Sequence, residues 1–183
     1  PVDIPAGGAQ SFVFGITPTS PLSSTEIGLV FACANSNPAP SFTGLNTLIL
    51  TASPTPPPDL VAIGATPSND GVVRLNGPTA TGFFATAAVN IGSGGTVTAS
   101  ADDGGIGLPV TMQLCETENS GKQITCGNNL SRSVAADQTV YYTVFVTGTG
   151  QPISFDPANN RLFLRFSANG QTVGATNVAV TTD

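Results

Sequence analysis

A chain of 183 residues can bury one large core, or one small domain plus part of another. Only 9% of its residues are charged, against roughly 25% in an average soluble protein, and five scattered Lys and Arg against eleven Asp and Glu give no cationic footprint for nucleic acid. Histidine is absent, which removes Ser-His-Asp, Cys-His and His-metal sites unless another chain supplies the imidazole.

In chain order, polar and apolar residues alternate over 11–17, 26–34 and 47–52, and each stretch predicts a β-strand. Prolines crowd "SPTPPPD" at 53–59, and a run of three cannot donate to a ladder, so this reads as a stiff spacer. Strands are then predicted over 60–65, 71–75, 82–91, 95–101, 109–116, 123–126, 139–147, 161–167 and 176–181. Gly, Pro, Asn, Asp and Ser clusters separate them about every 8 to 12 residues, the spacing of an all-β sandwich or barrel. No stretch holds an uninterrupted helical pattern, and no hydrophobic run reaches the ~18 residues of a membrane span.

Cys115 and Cys126 flank the polar segment "ETENSGKQIT". A hairpin folded about Ser120-Gly121 places them opposite each other, so a cross-hairpin disulfide is expected, and with it an oxidising compartment. The competing reading is two buried free thiols. Cys33 has no such partner and is left for another chain, an absent segment, or burial as a thiol.

The chain also resembles itself. "VDIPAGGAQSFVFGIT" lies over "RSVAADQTVYYTVFVT" at an offset of 130, which pairs Phe12 with Tyr142 and Phe14 with Val144. "EIGLVFACA" lies over "RLFLRFSAN" at 135, with Leu29 on Leu164 and Phe31 on Phe166, and "GLNTLILTA" over "GATNVAVTT" at 130 again, with Leu48 on Val178 and Leu50 on Val180. Three strands recur in the same order with compensating loop lengths, which is the mark of a repeat. Residues 1–53 then read as the C-terminal half of a domain that needs strands from elsewhere, 54–59 as a Pro-rich linker, and 60–183 as a complete domain.

With the run "LPVTMQLCETENSGKQITC … FDPANNRLFLRFSANGQTVGATNVAVTT", the complete unit resembles the immunoglobulin-like tandem β-sandwich domains of bacterial secreted and surface proteins. That resemblance implies an immunoglobulin-like sandwich and an extracellular or cell-surface place, but no particular activity. The tryptophan and inter-sheet disulfide of antibody domains are missing.

No catalytic residue, metal site or cofactor is expected. Asp102, Asp103, Glu116 and Glu118 read as turn and edge carboxylates, although the first two are hard oxygen donors that would suit a calcium ion. "IGSGGTV" and "DDGGIG" lack the lysine and helix start of a phosphate loop. Seven aromatic residues, Tyr141, Tyr142, Phe83, Phe84, Phe145, Phe163 and Phe166, read as core and inter-sheet packing, with Tyr142 inward and Tyr141 outward by strand alternation.

The expected role is a structural subunit of an extracellular filament or tandem surface array. Its partners would be copies of itself or an upstream segment of the same protein; membrane insertion and a small-molecule ligand are not expected. Strands from that partner would cover Phe12, Phe14, Ile16, Leu29, Phe31, Leu48 and Leu50, with Tyr141 as a further interface residue and Cys33 as an intermolecular lock. The alternatives are an adhesin-like binding module and an accessory domain of a larger secreted protein.

Overall fold

The computed structural model of the chain describes residues 2–44 and 46–183, and among these it contains twelve strands and no helix. Strands β1 (Leu22–Gly28) and β2 (Thr47–Ala52) form a two-stranded antiparallel ribbon. After the proline-rich spacer, β3 (Leu60–Ala65), β5 (Thr81–Asn90), β7 (Val110–Thr117), β8 (Gln123–Gly127) and β10 (Thr139–Gly148) make one sheet in the order β3-β5-β10-β7-β8. The facing sheet takes β4 (Val72–Leu75), β6 (Gly95–Asp102), β9 (Asn129–Val134), β11 (Arg161–Ala168) and β12 (Gln171–Thr182), in the order β4-β12-β11-β6-β9. Every described pairing is antiparallel except β4 with β12.

Alternation builds the core of this all-β sandwich. Phe84, Thr86, Ala88 and Asn90 of β5 and Val140, Tyr142, Val144 and Val146 of β10 point inward, against Leu162, Leu164 and Phe166 of β11 and Val97 and Ala99 of β6. The Tyr142 and Phe166 rings meet between the sheets, 5.6 Å apart. Each fully buried Val, Leu or Phe contributes roughly 1.5–3 kcal/mol relative to exposure. One buried polar side chain closes the end nearest the spacer: Asn90 Oδ1 accepts from the Asp59 and Gly92 amides, and Asn90 Nδ2 donates to the Ser93 and Ala135 carbonyls.

Strand β12 is buried on both faces from Val173 to Thr181. Its inner face, Thr176, Val178 and Val180, lies over the core. Its outer face, Ala175, Asn177 and Ala179, pairs with Arg165, Phe163 and Arg161 of β11, and the loop between β1 and β2 covers part of it. Gly44 in that loop has φ +72° and sits so close that a Cβ would stand 2.6 Å from the Ala175 backbone. Only glycine fits there.

Two expected strands are corrected. Residues 11–17 are not a strand: in the sandwich, β10, which the repeat offset matches to them, is flanked by β5 and β7, whereas residues 11–17 have no paired strand, and a lone extended segment has no ladder to hold it. The strand expected over 26–34 instead spans Leu22–Gly28. Its continuation lacks the β6-like neighbour that holds Leu164 and Phe166 in β11. Strand β9, too polar to show a clear alternation in the sequence, pairs with β6 along its whole length.

Candidate assembly interface

The N-terminal segment carries the largest apolar exposure. All residues from 2 to 21 are exposed, with Phe12 at 56%, Phe14 at 53% and Ile16 at 44%, and Phe31 follows at 42%. Leu29, Leu48 and Leu50 are half-buried. Phe12 and Phe31 touch each other, with ring centroids 5.9 Å apart at an interplanar angle of 46°.

That contact has the geometry of a core pair in the sandwich. The repeat offsets carry Phe12 onto Tyr142 and Phe31 onto Phe166, whose rings stand 5.6 Å apart at 53°. The ladders agree as well. Glu26↔Ile49, Ile27↔Leu48 and Gly28↔Thr47 in the ribbon become, under the offsets of 135 and 130, Arg161↔Ala179, Leu162↔Val178 and Phe163↔Asn177, which are the observed rungs of β11 with β12. Ile27, absent from the expected interface, is thereby the equivalent of the fully buried Leu162. The same self-alignment could have found it, one turn of the pleat before Leu29.

The two parts of the chain meet at a small joint on the outer face of β12. Asn177 Nδ2 donates to the Thr43 carbonyl, and Ser24 Oγ donates to the Thr172 carbonyl. The Arg161 guanidinium lies 4.9 Å from the centre of the Phe42 ring and donates to Asn177 Oδ1 and the Pro157 carbonyl. Burial holds this guanidinium below the ordinary arginine range. Gly44, Ile63, Gly71, Arg161 and Asn177 line a cleft of about 450 Å³ beside the joint. The contacts between the ribbon and β12, Thr43 with Asn177, Ser24 with Thr172 and Phe42 with Arg161, were not legible from spacing, since each joins residues more than a hundred positions apart.

Tyr141 lies on a different surface. It is half-buried on the outer face of the β3-β5-β10-β7-β8 sheet, across from Ala87 and Thr117. Phe83 and Phe145 stand on that same outer face with their rings 6.2 Å apart, and Phe83 is 44% exposed. Phe163 also points outward, beneath the Arg165 guanidinium. These three aromatics are therefore not core residues, because each occupies the outward phase of its strand, as Phe83 beside the buried Phe84 makes plain.

Cys115 and Cys126 are opposite one another in the β7–β8 ladder and joined as a disulfide, while Cys33 is exposed and free. Asp102 is ion-paired with Arg165, Nε to Oδ2 2.7 Å. Asp103 accepts from the amides of Gly105 and Leu108. Both carboxylates are thus engaged in holding the loop after β6, and among the described residues no group of three His, Cys, Asp or Glu is placed to hold a metal ion. Glu116 pairs with Arg132 across the edge of the two sheets. No helix among the described residues is long and apolar enough to cross a membrane.

No family model and no curated protein sequence matches the chain. Among solved structures, the CARDB domain of the PF1109 protein of Pyrococcus furiosus, solved in complex with di-metal ions, is 16% identical with a TM-score of 0.33. That alignment covers 73% of this chain and 100% of that one. The N-terminal domain of PorA is 15% identical with a TM-score of 0.34, over 67% of this chain and 97% of that one.

Proposed function

We propose that this chain is a structural module of the cell exterior, part of a filament or tandem surface array, and that strands from a neighbouring copy or an upstream segment cover its N-terminal face. One observation carries the reading. Phe12, Phe14, Ile16 and Phe31 are 42–56% exposed, whereas their repeat equivalents Tyr142, Val144, Val146 and Phe166 are at most 1% exposed. An apolar set with a core geometry and no cover forgoes roughly 1.5–3 kcal/mol per side chain, and its open strand edges are templates for β-addition. The disulfide supports an oxidising, extracellular location. The acidic charge, −6 overall, argues against nucleic acid as the partner. Nothing in the chemistry of the chain, which lacks histidine, supports a catalytic role.

Size-exclusion chromatography with light scattering, followed by negative-stain microscopy, tests this reading. Concentration-dependent oligomers that dissociate in Phe14→Asp are the expected result. A protease-resistant monomer in which Phe12 and Phe14 are already protected would overturn it. A binding module is the second reading, favoured by the uncharged outer face carrying Phe83, Phe145 and Tyr141; it predicts a ligand lost with Phe83→Ala and oligomerisation unchanged.

A further inference from the structure

The register shared by the ribbon and the β11–β12 hairpin says more than that a cover is needed. In the full domain, β12 is flanked by β4 in parallel, with Ala179↔Val72, Val180↔Val73, Thr181↔Arg74 and Thr182↔Leu75. On its other side β11 is flanked by β6, antiparallel, with Leu164↔Ala101 and Phe166↔Ala99. In the ribbon the equivalent edges of β2 and β1 are both free.

We infer that the open N-terminal surface takes a segment patterned like residues 60–130 of this chain, a further copy of the repeat, and takes it in one register. The β4-like strand of that segment runs parallel to β2, with the positions equivalent to Val72, Val73, Arg74 and Leu75 beside Ile49, Leu50, Thr51 and Ala52. The β6-like strand runs antiparallel to the extension of β1, with the Ala101 and Ala99 equivalents beside Leu29 and Phe31. The β5-like and β7-like strands close on residues 11–17 from both sides, as β5 and β7 close on β10.

This rests on the strand-completion reading, and it adds the partner's identity, direction and register. Three features point to this occupant. Three rungs of the ribbon, Glu26↔Ile49, Ile27↔Leu48 and Gly28↔Thr47, fall on three rungs of the β11–β12 hairpin. The Phe12–Phe31 contact reproduces the inter-sheet pair Tyr142–Phe166. The strands that would be donated are all engaged within the intact domain of this chain, so the donor is a repeat copy whose own strands are free to pair.

The test extends the full chain by joining a second copy of residues 60–130 directly ahead of Pro1, which stands where Ser131 stands in the repeat. In a Cys33→Ser background, Thr51→Cys is combined with Arg74→Cys in the added copy, and Ile49→Cys with the same added Arg74→Cys serves as the two-residue slip. The expected result is oxidative cross-linking of the first pair and not the second, with amide exchange of residues 11–17 slowed about a hundredfold relative to the unextended chain. Protection with cross-linking only in the slipped pair, or in neither, overturns the register and leaves strand completion standing. Exchange as fast as in the unextended chain overturns both.

If the extended chain aggregates, a peptide of residues 68–78 carrying Arg74→Cys is added in trans to the Thr51→Cys and Ile49→Cys chains. A cross-linking yield about tenfold higher at position 51 supports the register, a preference of about 1.4 kcal/mol. Equal yields overturn it.

Discussion

The β1–β2 ribbon and the β11–β12 hairpin share a register and an aromatic pairing, and yet one lies open while the other is the most buried part of the molecule. Phe31 is 42% exposed and Phe166 is fully buried, although both sit at the same place in the same pattern. The difference lies in the neighbours. Strand β11 has β6 beside it and β10 across from it, whereas β1 has a partner on one edge only. Local sequence therefore sets phase and register, and lateral neighbours decide whether a segment becomes a buried strand at all.

The sharpest way to break this comparison is to truncate equivalent rings. Phe166→Ala should destabilise the domain by about 3–5 kcal/mol through lost burial and a cavity, while Phe31→Ala should cost less than about 1 kcal/mol, because the ring is already partly hydrated and its removal leaves no closed cavity. Urea midpoints of the two variants measure the contrast, and equal losses would mean that Phe31 is buried in solution.

Next in size is the hairpin staple. Removing the bridge with Cys115→Ala and Cys126→Ala should cost up to about 3 kcal/mol in thermal or denaturant unfolding, since it closes a short loop in the unfolded chain, and should leave proteolysis of the N-terminal segment unchanged.

Tyr142 offers a third contrast, because its equivalent is Phe12. The Tyr142 hydroxyl is buried without a hydrogen-bond partner, and burial, aided by Glu116 and opposed by Arg132, pushes its pKa up to about 12. The native state thus holds the phenol proton more tightly than the unfolded chain does. Stability is unaffected below the ordinary tyrosine range near 10, then falls by roughly 1.4 kcal/mol per pH unit as pH rises toward 12. Tyr142→Phe should abolish that slope and, by removing an unpaired buried hydroxyl, raise stability at neutral pH by about 1 kcal/mol. Denaturant titrations at pH 7 and pH 11 measure both.

The smallest effect concerns the joint. Phe42→Ala removes the ring facing Arg161 and should weaken the seating of the ribbon on β12 by about 0.5–1 kcal/mol, seen as faster limited proteolysis between residues 30 and 46 with the unfolding midpoint of the domain unchanged.

Much of the sandwich was legible from alternation alone: the adjacent pair Tyr141-Tyr142 already assigns one ring to each face, and Ser120-Gly121 already places Cys115 beside Cys126, whereas Phe83, expected in the core, is turned outward by that same alternation beside the buried Phe84. The strand expected at 11–17 failed because alternation records a face and not the presence of neighbours. Strand β12 shows the converse. Its run Gly-Ala-Thr-Asn-Val-Ala-Val-Thr carries small residues on both faces, which the linear pattern leaves ambiguous and the packing explains, with the core on one side and Gly44 and Thr43 on the other. The joint residues Phe42, Arg161 and Asn177 gave no sequence pattern, since a cation–π contact across such a separation has none.

The parallel pairing of β4 with β12 also governs how the molecule responds to pulling. Force entering β4 at Val72 and leaving β12 at Thr182 acts along the strands, so the four rungs from Ala179↔Val72 to Thr182↔Leu75 resist together. In the ribbon, Leu22 and Ala52 form the same terminal rung. Tension applied there parts the strands one pair at a time, so under load the ribbon unzips while the domain must be sheared.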